Sequence, residues 1–201
     1  MDNVIKIVLT GGPYAGKTTI LDLLKERYGH MMVFLPEVAT TLLDSGYKMD
    51  SVPPSPEWQS KFQTAILKAQ IELEDKAVAE AARGVCKLVI CDRGILDGAA
   101  YTPGGVEAFC KLHGLDQQEM ISRYGTVVHM ETRAIAAPHE YGDASNEHRH
   151  EGVEAALALD KATWLAWENH PRHVRALSAQ GIMAKFRLMD MIIDFSLRSQ
   201  H

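Results

Sequence analysis

The residues with the clearest chemistry are Gly11-Gly12-Pro13-Tyr14-Ala15-Gly16-Lys17-Thr18, followed by Thr19. Two glycines five apart, then a lysine and a hydroxyl, let backbone N–H groups converge on an anion without a Cβ in the way. In this pattern Lys17 neutralises the outer phosphates of a nucleoside triphosphate, ATP or GTP, and the Thr18 hydroxyl ligates Mg²⁺. A helix beginning here would add its positive N-terminal end. A second candidate is Asp92, which closes the apolar run Lys87-Leu88-Val89-Ile90-Cys91. An aspartate in that place can orient Mg²⁺ through water, or cap a turn. Arg93 stands next, where a hydrolytic motor would carry a second acid. An arginine there suits bidentate contact with a phosphate in transfer. The pair therefore favours phosphoryl transfer to an acceptor over work-producing hydrolysis.

Further residues are open to two readings. Glu37, after Pro36, can take a proton from an attacking hydroxyl, or be a surface carboxylate at the start of a loop. Asp97 can face an acceptor or cap a helix. Gln63 and Gln70 share a helix face and can meet a hydrogen-bonding edge of a substrate, or simply be exposed. Residues 133–150 carry Arg133, His139, Tyr141, Asn146, His148, Arg149 and His150. They read as a lid that brings Arg149, or failing that Arg133, over the triphosphate, or as a solvated polar loop. His148 and His150 lack a third ligand at convincing spacing, so a metal pair is disfavoured.

These residues need a frame that brings them together, and the apolar runs supply one. Val4–Thr10 and Lys87–Cys91 read as buried parallel strands, joined by Met31–Leu35, Thr126–Thr132 and a short fifth strand, His173–Leu177. A helix follows the glycine loop, with Ile20, Leu23 and Leu24 inward. A long amphipathic helix is expected from Glu57 to Arg83, stopped by Gly84. Others are expected near 151–168, with Leu157, Trp164 and Trp167 inward, and near 180–197, with Ile182, Phe186, Met189 and Ile193 inward. Residues 45–56, with Gly46 and three prolines, read as a loop. Alternating strands and helices imply an α/β fold: a parallel sheet of about five strands with helices on both faces. Ligands of such sheets bind beyond the carboxyl ends of the strands, where Lys17, Glu37 and Asp92 are all expected.

The 201 residues suffice for a single domain, read as residues 1–201. A net charge of −5 gives no general attraction to nucleic acid. Three cysteines without a Cys-x-x-Cys spacing suit a reducing compartment. No signal-peptide pattern or window long and apolar enough to cross a bilayer is seen, so a cytoplasmic protein is expected.

The pattern as a whole resembles the AAA-domain group typified by the ribosylnicotinamide-kinase part of NadR and by the N-terminal domain of the fly TRPL translocation defect protein. The likeness rests on Thr10 to Thr19, Pro36-Glu37, Asp92-Arg93-Gly94 with Asp97-Gly98 and Tyr101, Tyr141 with Arg149 and Glu151, and His170-Pro171. It implies a three-layer P-loop NTPase fold of the nucleoside-kinase kind. It also implies one of two activities: phosphorylation of a small nucleoside-like acceptor, or nucleotide-dependent binding of a lipid or protein partner with slow hydrolysis. No Asn-Lys-x-Asp motif for guanine is present, so the base is left open, as is the oligomeric state.

Overall fold

Strand β1, Ile5–Thr10, alternates its side chains between two apolar layers, and this alternation organises the molecule. The computed structural model describes residues 4–84, 87–138 and 152–198. Ile7 and Leu9 face one layer and Val8 the other, so both faces of the strand are covered. Helix α1, Lys17–Tyr28, follows the glycine turn and lays Ile20, Leu21 and Leu24 on the first face. Strand β2 is Val33–Leu35, shorter than expected because Met31 and Met32 still belong to the turn out of α1, with their amides bonded to Tyr28 O.

Helix α2, Val38–Asp44, was not expected from sequence. Its seven residues follow Glu37, and its Thr40 and Thr41 have low helix propensity. Helix α3, Pro56–Ala81, starts cleanly: Pro56 occupies its first turn and Ser55 Oγ accepts from the Trp58 amide. Strand β3, Leu88–Asp92, runs into a 3-10 turn, Ile95–Tyr101. Helices α4, Gly105–His113, and α5, Gln117–Ser122, then lead to strand β4, Thr126–Met130. After α6, Arg133–Ala136, the remaining described elements are α7, Val153–Ala166, strand β5, His173–Ala176, a second 3-10 turn, Ser178–Gln180, and α8, Gly181–Arg198.

All five strands are parallel, in the order β2-β3-β1-β4-β5. Helices α1 and α8 cover one face, and Leu67 and Ala77 of α3, Phe109 of α4 and Ala166 of α7 pack on the other. With β1 central, the chain leaves it toward β3 on one side and β4 on the other. A crevice therefore opens at the carboxyl ends of these three strands.

Two inward assignments are corrected. Leu157 and Ile182 are exposed. The inward stripe of α7 is Ala156, Asp160, Thr163 and Ala166, small and polar residues that let this helix approach the glycine turn closely. That of α8 is Lys185, Met189 and Ile193. Trp167 is fully buried, and Trp164 sits at the edge, stacked on His173. No described helix is long and apolar enough to cross a membrane.

Candidate active site

The glycine turn between β1 and α1 is held from three sides. Gly11 adopts φ 132°, and a Cβ there would stand 2.0 Å from the Met130 carbonyl oxygen, so only glycine fits. Gly12 donates its amide to Asp160 Oδ1 at 3.0 Å. Asp160 also accepts from the Thr132 amide at 2.9 Å, which ties the turn to the end of β4. Thr132 Oγ1 donates to Pro13 O at 2.5 Å, and Lys185 Nζ donates to Ala15 O at 2.9 Å. Gly16, at φ 84°, begins α1, so the first amides of the helix point out of the turn. Lys17 Nζ reaches back to the carbonyls of Gly11 and Gly12, each at 3.1 Å. The Thr18 and Thr19 side chains open to solvent at the helix start.

The opposite wall comes from β2 and β3. Asp92 pairs in register with Leu9, beside the turn, and is 8% exposed. Its Oδ1 is buried and has no hydrogen-bond partner among the described residues. Burial pushes its carboxyl up to about 6; the nearby carboxylates of Glu37 and Asp97 add to this, and Lys17 and Arg93 oppose it. Arg93 sits at φ 71°, an uncommon backbone for a long side chain. Its amide still bonds to Leu9 O at 2.9 Å, which turns the side chain across the crevice. There Nε meets Glu37 Oε1 at 2.5 Å, and Nη1 meets Asp97 Oδ1 at 3.1 Å and Gly11 O at 3.4 Å.

Glu37 is the N-cap residue of α2, and its Oε2 accepts from Thr40 Oγ1 at 2.7 Å. Burial alone would raise its carboxyl. The Arg93 guanidinium, with smaller contributions from Lys17 and Thr40, brings it down to about 2. Asp97 is buried and fully used: it accepts from Thr10 Oγ1, the Gly94 amide, Arg93 and Trp167 Nε1. It caps the 3-10 turn and holds Arg93, and no lone pair is left over for an acceptor.

Lys17, Glu37, Asp92 and Arg93 thus meet at one crevice, together with Gly11 to Thr19. Arg149 lies outside the described residues, as do His139, Tyr141, His148 and His150; Arg133 begins α6, beside the turn. Gln63 and Gln70 are not exposed: at 6% and 3% exposure they line a narrow cleft with Gly94, Gly98 and Phe109. Gln70 Nε2 donates to Glu74 Oε1 at 2.9 Å and to Arg93 O at 3.3 Å. Glu74 is wholly buried and is also bonded by Lys6 and by Tyr124 Oη.

Two residues of the site escaped the sequence reading. Asp160 and Lys185 each sit on the otherwise uncharged inward stripe of a helix, and both tie down the glycine turn. A charge on a buried face was the available signal. On the side of the turn away from Asp92 lies a cavity of about 640 Å³, lined by Tyr14, Gly16, Thr19, Arg133, Ile182 and Lys185 among others. That volume suits a nucleoside. The arrangement joins an anion-binding turn, a buried partnerless carboxylate oxygen and a fixed guanidinium. Together these can bind a polyphosphate and stabilise charge as a phosphoryl group moves.

Comparison with known proteins bears on the family and the fold. A family model described as an AAA domain matches residues 6–184. No curated protein sequence matches the chain closely enough to count as a relative. Among solved structures, the chain is similar to deoxyadenosine kinase from M. mycoides with bound dATP. The TM-score is 0.60 at 16% identity, covering 94% of this chain and 99% of that one. The same kinase with the products dCMP and a flexible dCDP gives 0.58 at 15% identity, with the same coverage. At these identities the likeness shows a shared nucleoside-kinase P-loop fold.

Proposed function

The chain belongs to the AAA-domain family, and from that premise we propose that it is a Mg²⁺-dependent kinase. It would move the γ-phosphoryl group of ATP, or GTP, onto a hydroxyl of a small nucleoside-like acceptor. The observation that carries this is Arg93, fixed between Glu37 and Asp97 one residue after Asp92 and turned toward Gly11. Hydrolases use arginines too, but here the guanidinium is tied to a carboxylate, Glu37, that can take the proton of an acceptor hydroxyl. A guanidinium at this point serves a phosphate passing between two bound molecules.

In this reading the amides of residues 11–18 wrap the phosphates, and Lys17 exchanges the Gly11 and Gly12 carbonyls for the β- and γ-phosphates. Thr18 and Asp92 would hold Mg²⁺, with Asp92 acting through water; the orphaned Oδ1 of Asp92 and the open Thr18 hydroxyl are the hard oxygen donors this ion takes. When bound, the ion neutralises charge developing between the phosphates. Glu37 takes the proton of the acceptor hydroxyl. Paired with Arg93 it is a weak base, so it gains strength as the moving phosphate draws on the guanidinium beside it. Arg149, outside the described residues, would be the lid arginine of this reading.

The acceptor would enter between α3 and the 3-10 turn, against Gln63, Gln70 and Phe109. The enclosed space there is about 10 Å³, enough for a water, so α3 must part from the turn to admit a substrate. Both protons of the Gln70 amide face acceptors, which fixes its orientation and leaves only its oxygen for a ligand. An acceptor carrying an N–H or O–H at that edge is therefore favoured.

The test is incubation with γ-labelled ATP, Mg²⁺ and a panel of ribo- and deoxyribonucleosides. Label appearing in a nucleoside monophosphate is the expected result. Label released only as free phosphate would count against the kinase reading.

A further inference from the structure

Lys185 stands four residues before Met189 and eight before Ile193 on the buried stripe of α8, and is 5% exposed. Its Nζ donates to Ala15 O at 2.9 Å and to Glu131 O at 2.8 Å. An ammonium has three N–H groups and accepts nothing, so among the described residues these two carbonyls leave one donor uncommitted. The side chain also lines the cavity beside the glycine turn. Among the described residues no carboxylate lies within ion-pair distance of it. The Glu131 carboxylate is engaged by the Ser178 amide and hydroxyl, at 2.9 and 3.0 Å. That of Asp160 is engaged by Gly12, Thr132 and His129.

A buried cation is costly, and burial lowers the hold of Lys185 on its proton even though the Glu131 and Asp160 carboxylates, both engaged elsewhere, oppose this from beyond ion-pair distance. Lysine on an apolar stripe would be expendable if its only task were to fill space, since methionine fills the same volume without the cost. The charge gains a favourable partner when a polyanion enters the neighbouring cavity.

We propose that Lys185 is a second cation of the nucleotide site, placed behind the turn, whose charge attracts the phosphate chain while its carbonyl bonds fix the Ala15 arm. This rests on the nucleotide half of the function proposed above and is independent of the acceptor. It assigns binding of a nucleoside polyphosphate, and not of an uncharged nucleoside, to a residue outside the glycine turn.

The test is calorimetric titration of ATP, ADP and adenosine into the native chain, Lys185→Gln and Lys185→Met. Glutamine keeps donors for the two carbonyls and removes the charge. Both variants are expected to lose about tenfold or more in ATP and ADP affinity, with adenosine binding unchanged. Native ATP affinity in Lys185→Gln would overturn the proposal and leave Lys185 a mere tether. An equal loss for adenosine in Lys185→Gln would overturn it too, because shape and not charge would then be at stake.

A crystal structure of the native chain with ADP tests the same point without a variant. The α-phosphate is expected within about one Debye length, ~8 Å, of Lys185 Nζ, and a phosphate chain farther away would contradict the proposal. A native chain that binds no nucleotide sinks this inference and the kinase reading together. A native chain that binds ATP yet phosphorylates no nucleoside sinks only the acceptor half.

Discussion

At the scale of single residues, Lys17 and Asp92 have opposite costs in the ligand-free chain. Lys17 is satisfied by the two carbonyls it borrows from its own turn, so the empty site is stable and the lysine is ready to be exchanged onto phosphate. Lys17→Ala is therefore expected to abolish most triphosphate affinity while the melting temperature moves by no more than a few degrees. Titration and a thermal melt of the same preparation check both halves. Asp92 is buried with one oxygen unpartnered, and its carboxyl sits near 6 when folded against 3.8 as a free side chain. The folded chain thus binds this proton more tightly than the unfolded one, and ionisation of Asp92 withdraws stability as pH rises from about 4 to about 6. Asp92→Asn removes that penalty, which two pKa units put on the order of 3 kcal/mol. The variant should melt higher than native at pH 7 and match it below pH 4, while Mg²⁺ no longer strengthens its ATP binding. A lower melting point at neutral pH, or an undiminished Mg²⁺ effect, would count against this assignment.

At the scale of elements, the site is assembled from ends: the start of α1, the start of α2, the end of β3, and the inward stripes of α7 and α8. The pair Glu37–Arg93 fastens α2 to β3. With its folded value near 2 against 4.5 unfolded, Glu37 stabilises the chain fully above pH 4.5, and loses that contribution as pH falls through 2. Glu37→Gln should cost up to about 3 kcal/mol at pH 7 by urea denaturation, with the gap to native closing toward pH 2. Gly12 tests the other wall. A Cβ there would meet Asp160 Oδ1 at 2.8 Å and the Asp160 Cα at 3.1 Å, so Gly12→Ala must push α7 away from the turn. A loss of about 1–3 kcal/mol in stability, together with loss of nucleotide binding, is expected. Unchanged binding would mean that α7 does not set the shape of the turn.

These elements also show what could be read in advance. The glycine turn, Asp92-Arg93 and the strands β1, β3 and β4 were legible because local sequence dictates them: β-branched runs, glycines where no Cβ fits, a carboxylate at a strand end. Asp97, Gln63, Gln70, Asp160 and Lys185 were ambiguous or missed. Their roles depend on partners far along the chain, such as Thr10 for Asp97 and Gly12 for Asp160. Helix α2 hid for a related reason, since its register is fixed by Glu37 gripping Arg93, 56 residues away.

At the scale of the whole molecule, the strand order β2-β3-β1-β4-β5 places the acid wall on the β3 side of β1 and the 640 Å³ cavity on the other. A nucleotide lying across the turn would pass its α-phosphate by Lys185 on the cavity side and present its outer phosphate to Asp92, Arg93 and Glu37. The direct test of that placement is a crystal structure of the chain with Mg²⁺ and a non-hydrolysable ATP analogue. Residues 11–18 should wrap the phosphates, Lys17 should have left the Gly11 and Gly12 carbonyls, and the ion should lie between Thr18 and Asp92. Phosphates bound elsewhere, with Lys17 still resting on its own turn, would contradict the account.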